Sequence, residues 1–145
     1  SLVGSEMCIR DRGNNRRVDT STTFGLFGTG EPTWGEINYR AFGVYSVEFH
    51  NELFGYVQRH LEVQKDDGKP AGTKEIGKFL EQQGVPIDKT WVRMPGRKSS
   101  DVTLPVFVRN SIHHPENQEN DSVTEAELRQ SIEYLVGVVE TINAY

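Results

Sequence analysis

The C-terminal segment of the chain carries its clearest structural signal. Apolar residues recur there at steps of three and four, which places them on one face of a helix: Leu128, Ile132, Leu135, Val136, Val139 and Ile142. Two overlapping capping boxes, Ser122 to Glu125 and Thr124 to Glu127, mark its start. The pattern predicts a long amphipathic helix that closes the chain.

A second long helical pattern runs from about Glu36 to Val63. Its aromatic and aliphatic residues recur at steps of three to five and form one apolar face. Gly43 and Gly55 weaken the pattern, because each costs up to about 1 kcal/mol relative to alanine in a helix. We therefore expect helix here, with room for one break or kink.

Two short helices are predicted between these long ones. Thr73 is a suitable N-cap for the first, and Gly84 a suitable stop. The second covers 104–113, with Thr103 as its cap. It has to end near His114, because Pro115 disfavours the α conformation in the residue before it.

The remaining segments show no convincing strand alternation. Residues 85–100 contain Pro86, Pro95 and Gly96 and are predicted to be a connector. The sequence therefore predicts an all-α fold, a bundle of about four helices over residues 36–145, preceded by an irregular segment over residues 13–35.

The first residues require a separate interpretation. Residues 1–12, which include the only cysteine, Cys8, resemble a translated sequencing adapter rather than natural protein. We expect the natural chain to extend upstream, and this sequence to be its C-terminal piece. The glycine-rich stretch 25–30 invites comparison with a phosphate-binding loop, but no Gly-Lys-Ser/Thr follows it.

Composition excludes several classes of protein. The 145 residues fit one domain, and a single cysteine excludes a disulfide framework or a cysteine-based zinc site. No run approaches about 18 apolar residues, so no membrane span is expected, and the absence of a secretory segment favours the cytoplasm. The net charge of −5 argues against a general nucleic-acid coat, but the segment from Lys89 to Arg109 is locally basic.

The most informative residues close the helix predicted at 104–113. Arg109, Asn110, His113 and His114 lie there, just before the break that Pro115 imposes. Such residues can simply cap a helix and stabilise its dipole. They also suit metal-free phosphodiester cleavage, because histidine exchanges protons near neutrality and a guanidinium binds phosphate with two bonds.

Spacing and position sharpen this interpretation. Arg109 and His113 are four residues apart and share a helix face. His114 lies at the exit, where the bend can bring its ring back toward Arg109. Asn110 can orient a phosphate oxygen or the histidine ring.

These residues resemble the signature of HEPN domains (higher eukaryotes and prokaryotes nucleotide-binding), an arginine, a polar residue, three further residues and a histidine. Arg109, Asn110 and His114 match it, and a loop and a long final helix follow as in that family. The resemblance covers about residues 103–145 and extends to HEPN-like regions appended to ATPases in bacterial defence proteins.

The resemblance implies a helical bundle that forms a homodimer and pairs its motifs in one composite site. It also implies metal-independent RNA cleavage, without a cofactor, by 2′-hydroxyl attack on the adjacent phosphate. Arg109 would hold the phosphate, Asn110 would position it, and His114 would be the general acid or base. The tandem histidines leave His113 as an alternative, because it gives a shorter spacing.

Other residues are candidates for supporting roles. Glu48 and Glu52 are candidate carboxylates that orient the arginine or histidine, while His50 between them is read as a helix-surface residue. Trp34 and Trp91 could stack on bases, although packing is the commoner role for tryptophan. A basic cluster could follow an RNA backbone or belong to a solvated loop: Lys89, Arg93, Arg97 and Lys98.

Three hypotheses of function follow. The first is an endoribonuclease module of a prokaryotic defence or toxin system. The second is a non-catalytic module that dimerises, through the face from Leu128 to Ile142, or senses a nucleotide for an upstream ATPase. The third is an all-α fragment whose function belongs to the upstream region.

Overall fold

A computed structural model describes residues 25–28, 31–94 and 96–143. The described residues form five helices and one two-stranded antiparallel sheet. In chain order the elements are α1 (Trp34–Phe42), α2 (Val47–Lys65), α3 (Thr73–Gln82), β1 (Ile87–Arg93), β2 (Lys98–Thr103), α4 (Leu104–His113) and α5 (Glu125–Asn143). The prediction of an all-α bundle of four helices is therefore wrong, because a β-hairpin separates α3 from α4.

The long helical pattern predicted from about Glu36 to Val63 is divided into α1 and α2. Gly43 ends α1 in the left-handed conformation, at φ 66°, which a residue without Cβ adopts at little cost. The hydroxyl of Ser46 then accepts the N–H of Phe49 and starts α2. Because α1 begins at Trp34, the helical part of the chain starts slightly before the predicted boundary at residue 36.

The core lies between α2 and α5, and α3 and α4 close it. The predicted apolar face of α5 is confirmed, since Ile132, Leu135 and Val139 are fully buried. They pack in one cluster with Phe49, Leu53, Val57, Ile76, Leu80 and Val106. Burial of each such side chain contributes about 1.5–3 kcal/mol relative to exposure, so this cluster dominates the stability of the fold. Of the two predicted capping boxes, the structure forms the one between Thr124 and Glu127.

The hairpin replaces the connector predicted at residues 85–100. β1 pairs with β2 from Ile87 opposite Thr103 to Arg93 opposite Lys98. The prediction failed because the strands have few apolar side chains, and only Trp91 and Thr103 are buried. Pro95 and Gly96 are equally typical of a connector and of a turn, and Gly96, at φ 98°, lies in the turn that joins the two strands.

A short described segment before α1 is bound to the domain. The buried carboxylate of Glu36 accepts the N–H groups of Gly25 and Leu26, at 3.2 and 3.0 Å. Leu26 is buried in the core cluster, and Phe27 contacts the ring of Tyr56. These amides bind a carboxylate of the chain itself, as amides of a phosphate-binding loop would bind phosphate. The adapter-like residues 1–12 lie outside the described residues.

Within the described part of the chain, no helix has both the length and the apolar character needed to cross a membrane.

Candidate functional site

The helix α4 presents the predicted motif at its C-terminal end. Thr103 stands at the N-cap position, but its hydroxyl caps no backbone N–H, so α4 begins without the side-chain bond that the sequence suggested. At the other end, the N–H of His114 donates to the carbonyl of Asn110 at 2.9 Å. The helix therefore ends where Pro115 requires it to end.

Arg109 and Asn110 lie on the side of α4 that faces a groove. The Arg109 guanidinium carbon is 5.4 Å from the centre of the Phe54 ring, a cation–π contact with α2 that orients the side chain. Asn110 is buried, and both residues line the groove.

His114 lines the same groove and has a carboxylate partner. Its Nδ1 atom is 3.3 Å from Oε2 of Glu116, and its ring lies 6.5 Å from that of Trp91. A carboxylate on one ring nitrogen fixes the orientation of an imidazole and leaves the other nitrogen for chemistry. The sequence signal for Glu116 is its position two residues after His114, whereas the carboxylates predicted for this role, Glu48 and Glu52, are on α2.

The two tandem histidines have different surroundings. His113 does not line the groove. Desolvation lowers the pKa of the His113 imidazole below its usual value, and the nearby side chains of Arg109 and His114 lower this pKa further. This lowered pKa favours the neutral form of His113, which is exposed on the helix face that it shares with Arg109.

The loop after His114 is attached to the hairpin. Asn120 binds both backbone groups of Val92, accepting its N–H at 2.8 Å and donating to its carbonyl at 3.0 Å. Asn117 donates to the same carbonyl at 2.9 Å. The Arg97 guanidinium and the Glu119 carboxylate add an ion pair at 3.0 Å. The hairpin thereby positions the loop that carries His114 and Glu116.

The groove has a volume of about 1360 Å³ and lies between α3, the hairpin, the end of α4 and this loop. Its lysines and arginines have no carboxylate partners in the part of the chain that the structure describes. Among the described residues, five of its lining cations form no ion pair: Lys74, Lys78, Arg93, Lys98 and Arg109. Only Arg59 and Lys69, which lie outside the groove, share this property within the same part of the chain.

The predicted basic cluster is divided by the structure. Arg93 and Lys98 line the groove. Lys89 does not, because its ammonium pairs with Glu127 at 2.7 Å and lies 4.6 Å from the centre of the Phe107 ring. Arg97 is engaged by Glu119.

Sequence reasoning missed Lys74 and Lys78. Their signal was a lysine pair four residues apart on a short amphipathic helix.

The candidate carboxylates of α2 lie elsewhere. Glu52 accepts the hydroxyl of Thr33 at 2.7 Å and so supports the start of α1. Glu48 is exposed, and neither residue lines the groove. The interpretation of His50 as a surface residue is wrong, because it is fully buried with Nε2 2.6 Å from Oγ of Ser131.

The two tryptophans have opposite environments. Trp91 is buried with its ring edge-on to Phe107, at 5.6 Å between ring centres, so it serves packing. Trp34 is 79% exposed and is not part of the hydrophobic core.

Comparison of the chain with models of known protein families, with curated proteins and with solved structures found no match. Among the described residues, no group of three or more His, Cys, Asp or Glu side chains is arranged to hold a metal ion.

Proposed function

We propose that this chain is a metal-independent ribonuclease module of a prokaryotic defence or toxin system that acts on RNA in the cytoplasm. One observation carries the proposal. Arg109 and His114, the two residues that the motif needs, line one groove together with cations that have no partner in the described chain. The resemblance to HEPN domains supplies the reaction type.

The proposed reaction is a displacement at phosphorus in which the attacking oxygen loses a proton and the leaving oxygen gains one. The RNA 2′-hydroxyl loses its proton and its oxygen bonds to the adjacent phosphorus, while the bond from phosphorus to the 5′-oxygen breaks. The products are a 2′,3′-cyclic phosphate and a 5′-hydroxyl, which receives a proton. We assign both proton transfers to His114, which accepts the proton of the 2′-hydroxyl and then, as imidazolium, donates it to the leaving 5′-oxygen.

Glu116 supports this role of His114. If Nδ1–H of the neutral ring donates to the carboxylate, Nε2 keeps its lone pair and can accept the proton of the 2′-hydroxyl. The carboxylate also stabilises the imidazolium that results. Glu116 is thus a positioning residue in this proposal.

Arg109 and Asn110 are assigned to the phosphate. The guanidinium offers two parallel N–H donors to the non-bridging oxygens and opposes the charge that develops on them. The Asn110 amide donates to a phosphate oxygen and fixes its direction.

The test is cleavage of RNA by the purified chain in EDTA. Cleavage should continue in EDTA and leave cyclic phosphate ends, and Arg109→Ala or His114→Ala should abolish it. His113→Ala distinguishes the two candidate histidines, because it should leave cleavage intact if His114 is the functional one. Arg59→Ala is a matched control, since Arg59 is an unpaired cation outside the groove. Loss of activity in EDTA, or normal cleavage by both site variants, would refute the proposal.

A second candidate is a non-catalytic interaction module, and one observation favours it. Trp34 and Phe42 lie two turns apart on α1 and are 79% and 68% exposed, which the fold itself does not require. The face of α5 that the sequence suggested for dimerisation is not free, because Ile132, Leu135 and Val139 are in the core.

A second copy of this chain is the partner that we assign to the α1 face, since the resemblance implies a homodimer. Sedimentation should show a dimer that Trp34→Ser with Phe42→Ser dissociates. A chain that is monomeric before and after the substitutions, and that cleaves RNA, would leave only the first candidate.

A further inference from the structure

Two like-charged pairs on different elements line the groove. On α3, Lys74 and Lys78 are four residues apart, so they are neighbours on one helix face. On the hairpin, Arg93 and Lys98 are direct cross-strand partners. All four side chains are exposed, and all four line the groove.

Both arrangements are unfavourable in the free protein. Like charges at positions i and i+4 destabilise a helix, and like charges directly opposite each other destabilise a strand pair. Five of the seven described lysines and arginines outside the groove have carboxylate partners, such as Lys65 with Glu75 and Lys89 with Glu127. An anion placed between the two pairs would relieve the repulsion in both.

The size of the groove indicates a polymer. Its volume of about 1360 Å³ exceeds the roughly 300–1,000 Å³ of ordinary small-molecule pockets. Two cation pairs on separate elements also match successive phosphates of a strand better than one compact anion.

The groove offers apolar contacts as well as charge. Ile87 is the first residue of β1 and Met94 follows its last residue; both line the groove, and they are 43% and 45% exposed. Nucleobases need such surface, whereas a simple polyphosphate does not.

We propose that the pair Lys74/Lys78 on α3 and the pair Arg93/Lys98 on the hairpin form two phosphate subsites of the groove, which hold a single RNA strand across Arg109 and His114. The choice of RNA rests on the proposed function. The strand contacts Ile87 and Met94 through its bases.

The test measures binding separately from cleavage. The probe is fluorescein-labelled 2′-O-methyl oligouridine, which lacks the attacking hydroxyl, so its binding does not depend on cleavage. Anisotropy is recorded with the full chain between about 50 and 200 mM salt. Lys74→Gln with Lys78→Gln removes one subsite, and Arg93→Gln with Lys98→Gln removes the other.

Each double variant should raise the Kd about tenfold and reduce the slope of log K against log salt by about 1.4, which is about 0.7 for each lost phosphate contact on a single strand. The matched control is Arg59→Gln with Lys69→Gln, which changes the net charge equally and should shift the Kd by less than about twofold. Circular dichroism checks that each variant is folded.

Two results would overturn the inference. If neutralising the α3 pair has no more effect than the control, α3 does not contact the strand. If Ile87→Ser and Met94→Ser leave binding unchanged and inorganic polyphosphate competes as well as the oligonucleotide, the groove binds a simple polyanion. Binding that meets the expectation together with absent cleavage would refute the ribonuclease proposal and leave the subsites standing.

Discussion

The side chain of Asn120 forms with Val92 the two backbone hydrogen bonds that a neighbouring strand would form. It accepts the backbone N–H of Val92 at 2.8 Å and donates to its carbonyl at 3.0 Å. A primary amide can do this because it carries an acceptor and donors side by side, as a peptide group does. Through this pair the loop that holds His114 and Glu116 is fixed to the hairpin.

Asn120→Ala should destabilise the protein by about 1–3 kcal/mol, because it removes two hydrogen bonds to partly buried backbone groups. It should also lower RNA cleavage, since the loop loses its attachment. Urea denaturation gives the first effect and a cleavage assay the second. Ser122→Ala is the control and should change neither, because Ser122 is an exposed residue of the same loop that does not line the groove. Equal stability of the two variants would show that Asn120 does not hold the loop.

Glu116→Gln should lower kcat for RNA cleavage by at least about tenfold, with little change in KM. The physical reason is that an amide retains the shape but loses the negative charge that stabilises the imidazolium of His114. Steady-state cleavage measures both constants. Glu125→Gln changes the net charge equally at an exposed position and should leave kcat unchanged. A rise in KM alone would assign Glu116 to binding.

The pH dependence of stability should report the burial of His50. Desolvation lowers the pKa of His50 from 6.5 to about 4. The unfolded chain therefore binds a proton between these values and the folded chain does not, so stability falls as the pH drops from 6.5 toward 4. The loss amounts to about 3 kcal/mol below pH 4 and is absent above pH 6.5.

Urea denaturation from pH 7 to pH 4 tests this expectation against His50→Gln. The glutamine variant cannot take up that proton, so the stabilities of the two proteins should converge as the pH falls. Parallel curves would contradict the burial of a neutral histidine beside Ser131.

Val57→Ala and Val63→Ala are the same substitution on the same helix. Val57 is fully buried and Val63 is 68% exposed. The buried change should cost about 2 kcal/mol, from lost transfer energy and the cavity left behind, and the exposed one should be close to neutral. Chemical denaturation at neutral pH measures both. A neutral Val57→Ala would show that α2 is not packed as described.

The helices could be predicted because their signals are local. The capping box from Thr124 to Glu127, the break that Gly43 allows and the apolar spacing of α5 act within a few residues, so the sequence indicates them directly. The hairpin gave no such signal. Its strands are polar, and their pairing depends on Trp91 packing on Phe107 and on Asn120 binding Val92, both of which are contacts between distant parts of the chain.

The same distinction between local signals and contacts of distant residues applies to the candidate site. The sequence by itself determined that Arg109 and His114 close a helix, because Pro115 and helical spacing are properties of adjacent residues. Only the tertiary structure decided which charges accompany them. Lys89 pairs with Glu127 outside the groove, and Lys74 and Lys78 line the groove from another helix. The sequence could not show this, because the direction and partners of a charged side chain depend on the elements that pack beside it.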